Sequence, residues 1–260
     1  MGPAESLALK LVLTPVLVGA ASLAARRWGS EVGGWLVGIP FTSAPVTFFL
    51  AIGPGAHFAA EASVGILAGT ISQAAFALAY AWCARSLWWS VCLVAATIAF
   101  AAVTGVLVGV KATAPVTFLA VLVVLVASLT LMPRRSGATP RAVALPRWDI
   151  PARMLVGTVL VVAITTAAPF LGPRLAGLIA PYPLYAAVLA VFSHRLQGPE
   201  SAVSVLRGLL LGLFAFAGFF LTTAQLLEDT SMALAFGAAI AVALVLQAAS
   251  LYAGRRLGIA

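Results

Sequence analysis

Charged residues are scarce in this chain of 260 residues. They make up 8% of the sequence, with 15 basic and 7 acidic residues, while 63% of the positions are hydrophobic. Soluble domains carry roughly 25% charged residues, which keep their exterior in water. Here apolar runs of about 20 residues recur along the whole sequence, and a run of that length crosses a bilayer as a helix. The composition therefore excludes a soluble globule and predicts an all-α polytopic membrane protein.

Residues that usually carry chemistry are also few. The chain has two cysteines and two histidines, and its His, Cys, Asp and Glu residues show no metal-ligand spacing. None of the seven acidic residues falls at a predicted bilayer centre, and the nearest is Glu61. A proton-coupled cation exporter normally needs a carboxylate there. We therefore expect no cofactor, no metal and no enzymatic activity.

Nine apolar segments predict nine transmembrane helices. They are residues 7–25, 33–52, 61–83, 87–110, 113–132, 152–171, 174–193, 203–226 and 231–254. The polar stretch 133–151 predicts a cytoplasmic linker between an N-terminal repeat with an extra helix, 1–132, and a C-terminal repeat, 152–260.

Basic residues follow every second segment. The sets are Arg26 with Arg27, Arg85, the group Arg134, Arg135, Arg141, Arg147 and Arg153, His194 with Arg195, and Arg255 with Arg256. Short loops rich in Arg and Lys stay on the cytoplasmic side. This alternation predicts a bacterial-type inner-membrane protein with its N-terminus outside and its C-terminus cytoplasmic. It also accounts for the net charge of +8 without a nucleic-acid partner.

The two halves correspond when the chain is shifted by 143 positions. Five glycines and a proline coincide: Gly172, Gly177, Gly198, Gly208, Gly212 and Pro183 fall on Gly29, Gly34, Gly55, Gly65, Gly69 and Pro40. The shift carries the first four segments onto the last four and leaves the fifth unpaired. Because it spans five segments, an odd number, corresponding helices cross the membrane in opposite directions. The sequence therefore predicts two inverted-topology repeats.

This organisation resembles small secondary transporters built of five-helix inverted repeats, such as the drug/metabolite transporter superfamily or the bile acid/sodium symporter-like folds. The resemblance rests on topology and on glycine and proline positions, and it implies architecture alone. Gly65 and Gly69, with Gly208 and Gly212, are small-xxx-small motifs at equivalent positions. They predict a close crossing of segments 61–83 and 203–226.

Paired prolines predict the substrate site. They interrupt segments 33–52 and 174–193, because proline lacks an amide donor and clashes with the preceding turn. Irregular backbone at membrane depth is tolerated where it is buried or lines a watery cavity, and transporter sites lie there. The predicted substrate-binding residues are Pro40, Thr42, Ser43, Pro45, Gln73, Pro181, Tyr182, Pro183, Tyr185 and Gln225. Gln73 and Gln247 are expected to find hydrogen-bond partners, because a buried amide needs one.

Together these patterns favour a secondary transporter or facilitator that moves a small polar solute by alternating access. Half-helix ends and neutral side chains suit a neutral or anionic solute better than a cation. A membrane channel or a structural partner of another membrane protein is the alternative. A membrane-embedded lipid enzyme is disfavoured because the sequence lacks candidate catalytic groups. The expected partners are the solute and membrane lipids, and the sequence leaves a homo-oligomer open.

Overall fold

The structure is a computed structural model that describes residues 3–40, 43–52, 55–133, 146, 148–159 and 181–256. All regular secondary structure in these ranges is helical, which confirms the all-α prediction for this part of the chain. The helices are α1 Pro3–Trp28, α2 Ser30–Val37, α3 Ser43–Ile52, α4 Ala56–Cys83, α5 Trp89–Leu107, α6 Ala114–Leu131, α7 at residues 149–159, α8 Leu184–Gln197, α9 Pro199–Leu226 and α10 Met232–Arg256. Five of them, α4, α5, α6, α9 and α10, are long and apolar enough to cross a membrane.

Helix α9 lies at the centre of the bundle. It packs against α2, α4, α6, α8 and α10, and 89% of an apolar 18-residue stretch of α9 is buried. The corresponding fractions are 17% for α5 and 22% for α10, whose outer faces expose apolar side chains such as Ile98, Val106 and Val245. Apolar side chains facing outward are expected where lipid is the solvent. The fold is therefore that of a membrane-embedded helical bundle.

Contacts between helix ends define the two ends of the bundle. At one end the last turn of α1 meets the start of α7, where Arg26 donates to Asp149, and the ends of α4 and α8 meet, where the Tyr80 hydroxyl lies 3.3 Å from His194 Nδ1. At the opposite end the start of α4 meets the loop after α9, and His57 Nδ1 lies 3.0 Å from Glu228 Oε1. We call these the basic end and the acidic end. Helix α4 runs from the acidic to the basic end, and α9 runs the other way.

Helix boundaries follow the predicted segments at one point and depart from them at another. The predicted segment 33–52 is two helices, α2 and α3, interrupted near Pro40 as its prolines predict. Helices α4 and α9 begin several residues before the predicted starts at 61 and 203, because each follows a glycine with positive φ. Gly55 has φ 114° and Gly198 has φ 99°. Glycine adopts this conformation readily because it has no Cβ, and the chain turns there before each helix begins. Residues 160–180, which belong to the predicted segments 152–171 and 174–193, lie outside the described residues.

The shift of 143 positions reappears in the helix boundaries. It carries both ends of α4, residues 56 and 83, onto both ends of α9, residues 199 and 226, and it carries the start of α5 onto the start of α10. The turn before each central helix is also alike: ψ is 169° at Gly55 and 174° at Gly198. Similar backbone turns therefore precede the two helices that the shift relates.

Candidate functional site at two helix breaks

The first helix break separates α2 from α3. Helix α2 ends at Val37 and α3 begins at Ser43, with buried Pro40 between them. The Pro40 carbonyl accepts a hydrogen bond from the Ala44 amide at 2.9 Å, which joins the proline to the first turn of α3. Pro45 lies in the first turn of α3, where a missing amide hydrogen breaks no helical bond. Predicted site residue Thr42 lies outside the described residues.

This break packs tightly against α9. A Cβ added to Gly38 would lie 2.5 Å from the Cα of Gly212, and one added to Gly208 would overlap the carbonyl oxygen of Glu31. The two glycines of α9 therefore hold α2, and the prediction that they would instead mediate the crossing of α4 and α9 is wrong. Their small size permits a close approach but does not specify which helix makes it.

Helices α4 and α9 do contact each other, at hydroxyl groups. Thr223 Oγ1 donates to Ser63 Oγ at 3.2 Å, and both side chains are buried. Gly65, the first glycine of the α4 motif, is exposed and has none of the described atoms within 4 Å of an added Cβ. It plays no part in the crossing.

The second break precedes α8. Residues 181–183 are not helical, and α8 begins at Leu184. Here Pro181 packs on α4, because a Cβ added to Gly69 would overlap the Pro181 ring. The shift of 143 relates this contact to the first break, since it carries Gly38 onto Pro181 and Gly69 onto Gly212. Each break therefore rests on the equivalent glycine of a central helix.

A glutamine binds a backbone carbonyl beside each break. Gln73 Nε2 of α4 donates to the Pro181 carbonyl, and Gln247 Nε2 of α10 donates to the Trp35 carbonyl at 2.9 Å. Both glutamines are buried, and the Oε1 atom of each has no hydrogen-bond partner among the described residues. Buried Thr70 Oγ1, one turn before Gln73, likewise has no partner in the described part of the chain. The structure thus confirms that both amides find partners, and within the described ranges it shows two buried acceptor oxygens unsatisfied.

Tyr182 joins the second break to α5. Its hydroxyl lies 2.9 Å from Thr97 Oγ1, and its ring makes edge-to-face contacts with Phe76 and Phe100, with centroids 5.7 Å and 5.3 Å away. Thr97 was not among the predicted site residues. A lone threonine in an apolar segment usually bonds its own helix, as Thr97 also does to the Leu93 carbonyl, so nothing in the sequence signals its contact with Tyr182.

The predicted site residues do not all lie together. Gln73, Pro181, Tyr182 and Pro183 meet at the second break, and Pro40, Ser43 and Pro45 lie at the first. Tyr185 is half-buried in the first turn of α8. Gln225 was predicted to line a buried site, but it is exposed in the last turn of α9, next to the helix end at Leu226. Its position near the end of the helix keeps it away from both breaks.

A cavity of about 810 Å³ opens beside the second break, between α5 and α8. Tyr182 and Thr97 line it together with Thr104, Val188 and Arg195, and most of the remaining lining is apolar. Of the predicted site residues, Tyr182 alone is among its described lining residues.

No protein-family model, curated protein or solved structure matches this chain.

Proposed function

We propose that this chain is a secondary transporter or facilitator that moves a small polar solute across a bacterial-type inner membrane by alternating access. The observation that carries the proposal is the pair of related breaks. The first separates α2 from α3, the second lies directly before α8, and each packs on a glycine of a central helix, Gly38 on Gly212 and Pro181 on Gly69. Transporters commonly bind their substrates where helices are discontinuous.

The proposal includes nine spans arranged as two inverted repeats. Its support is the common shift of 143 that relates α4 to α9 at both ends, together with the opposite directions of these two helices in the bundle. Two halves related in this way can exchange conformations, so that an outward-open state and an inward-open state have similar free energies. With the basic end in the cytoplasm, the N-terminus is outside and the C-terminus inside.

The chemistry around the breaks favours a neutral solute with hydrogen-bond donors. The buried Oε1 atoms of Gln73 and Gln247 can only accept, and neither has a partner among the residues that the structure describes. Helices α3 and α8 both begin at a break, so their positive N-terminal ends favour acceptor groups on the same solute. A solute with amide or hydroxyl groups offers both donors and acceptors.

Counterflow in proteoliposomes tests the proposal and separates it from the channel alternative. Vesicles preloaded with an unlabelled amide or polyol are expected to accumulate the same labelled compound, with and without an imposed ion gradient. A channel equilibrates the label without accumulation, and a structural partner protein transports nothing. If no compound in a panel of neutral, anionic and cationic solutes shows counterflow, the proposal is wrong.

Two variants tie transport to the second break. Tyr182→Phe keeps the ring between Phe76 and Phe100 but removes the hydroxyl that meets Thr97, so it is expected to lower the counterflow rate by roughly two- to tenfold. Gln225→Leu, at an exposed position outside both breaks, is the matched control and should leave the rate unchanged. Equal loss in both variants would contradict a site at the break.

A further inference from the structure

Three charged side chains form a cluster at the basic end. Asp149 accepts from Arg26 at 3.0 Å through Oδ2 and from Arg153 at 2.8 Å through Oδ1. Asp149 is 1% exposed and the Arg153 side chain 3%, while Arg26 is 31% exposed. Arg153 belongs to the basic group from which the sequence predicts orientation. Its spacing of four residues from Asp149 is readable as a helical ion pair, but nothing in the sequence signals its burial.

The cluster connects three helices of the bundle. Arg26 lies in the last turn of α1, Asp149 and Arg153 lie in α7, and the Arg153 guanidinium sits 5.3 Å from the Phe192 ring centroid of α8. Arg26 also donates to the Pro146 carbonyl at 3.2 Å, which ties α1 to the chain just before α7. The cluster therefore holds α1 and α7, from different halves of the chain, against α8.

The acidic end has no equivalent of this cluster in the sequence. The shift of 143 relates Asp149 to Ser6, Arg153 to Lys10 and Arg26 to Pro169, so the related positions include no carboxylate. The ion pairs that the structure describes at the acidic end, from His57 to Glu228 and to Glu61, are largely exposed to solvent, with side chains 47–75% accessible. Exposed pairs contribute little to stability. Among the described residues, the charged contacts of the two ends thus differ in burial.

We propose that Arg26, Asp149 and Arg153 form a latch that keeps the basic end closed and opens when water enters it. The latch deepens the proposed transport function and rests on it. Buried charges are stable while they are paired and dry, because separating them in an apolar interior leaves each one unsolvated. Once water reaches them, separation carries a much smaller penalty. The cluster therefore has two stable arrangements. In one the three charges are paired and the basic end is closed, and in the other the charges are solvated by water and the basic end is open.

Thiol accessibility tests the latch without any knowledge of the solute. Cys83 and Cys92 are replaced by alanine, and Ser193→Cys places a thiol at a position of α8 that is 1% exposed, next to Phe192. The full chain in nanodiscs is then treated with a water-soluble maleimide. Asp149→Asn is expected to raise the labelling rate by roughly tenfold or more, because it leaves Arg153 without its carboxylate.

A double variant separates a latch from simple charge balance. Asp149→Asn with Arg153→Met removes both buried charges, so it is expected to fold even if the single variant does not. If the cluster is a latch, the double variant also labels faster than the parent. Labelling at the parental rate in the double variant would overturn the proposal, because the charges would then only balance each other.

A thiol at the opposite end controls for general loosening. Ala235→Cys lies in the first turn of α10, at a residue that is fully buried near the acidic end. Its labelling should stay constant or slow when the basic end opens, and an equal rise at both thiols would overturn the latch. Counterflow is measured on the same variants. Raised labelling without any counterflow contradicts the transport function, whereas counterflow with unchanged labelling contradicts the latch.

Discussion

The two central helices, α4 and α9, have the same length and related positions but different surroundings. Both contain 28 residues, and an apolar stretch is 89% buried in α9 and 56% buried in α4. Helix α2 lies directly on α9, and its backbone meets Gly208 and Gly212, whereas the position on α4 equivalent to Gly208 is the exposed Gly65. The bounds of α4 and α9 therefore correspond, while their packing against the other described residues differs.

The largest effect expected from this comparison is at Gly208 and Gly65, which the shift of 143 relates to each other. A Cβ at position 208 would overlap the Glu31 carbonyl and lie 2.8 Å from the Trp35 amide nitrogen, and backbone atoms cannot move aside as a flexible side chain can. Gly208→Ala should therefore lower the free energy of unfolding by about 2–3 kcal/mol. Thermal melting in detergent measures the change.

Gly65→Ala is the matched substitution at the other helix. Its Cβ would point into open space among the described residues, and alanine favours a helix over glycine by about 0.5–1 kcal/mol. The melting temperature should therefore stay the same or rise. If both alanine variants lose similar stability, the two helices are packed alike and the comparison fails.

The small-xxx-small motifs show how much of the helix packing could be predicted from the sequence. Spacing and composition correctly indicate that the backbone comes close to another element at Gly69, Gly208 and Gly212. They do not identify the other element, because the missing side chain of a glycine permits a close approach but does not select the element that makes it. The helix interruption at Pro40 was predictable for a different reason, since the missing amide hydrogen acts locally.

Buried polar contacts were predictable in kind but not in partner. That Gln73 and Gln247 must find partners follows from the penalty for burying an amide. That the partners are the carbonyls of Pro181 and Trp35 depends on long-range packing, which the residues of α4 and α10 alone do not encode. The exposure of Gln225 also depends on long-range packing, because the neighbouring helices determine which residues near the end of a helix are covered.

An intermediate effect is expected when either glutamine is removed. Gln73→Leu removes the side-chain donor to the Pro181 carbonyl, and Gln247→Leu removes one of two donors to the Trp35 carbonyl, which keeps the Gly38 amide at 3.2 Å. Each change should lower the free energy of unfolding by about 1–3 kcal/mol. Gln225→Leu, at an exposed position, should change it by less than about 0.5 kcal/mol. The comparison sharpens if Gln247→Leu, on the less buried helix α10, has the smaller effect of the two buried glutamines. Losses no larger than that of Gln225→Leu would show that neither carbonyl depends on its glutamine.

The smallest effect expected is at the contact between the two central helices. Thr223 Oγ1 lies 3.2 Å from Ser63 Oγ, but each hydroxyl also bonds its own helix, Ser63 to the Ala59 carbonyl at 2.8 Å and Thr223 to the Phe219 carbonyl at 3.1 Å. Removing one hydroxyl therefore leaves the other with a partner, and no buried polar atom loses its last bond. A double-mutant cycle of Ser63→Ala and Thr223→Val should give a coupling energy of about 0.6 kcal/mol, the average for interhelical hydrogen bonds in membrane proteins. A coupling energy above about 2 kcal/mol would mean that this hydroxyl pair, rather than the packing of each helix against its break, holds α4 to α9.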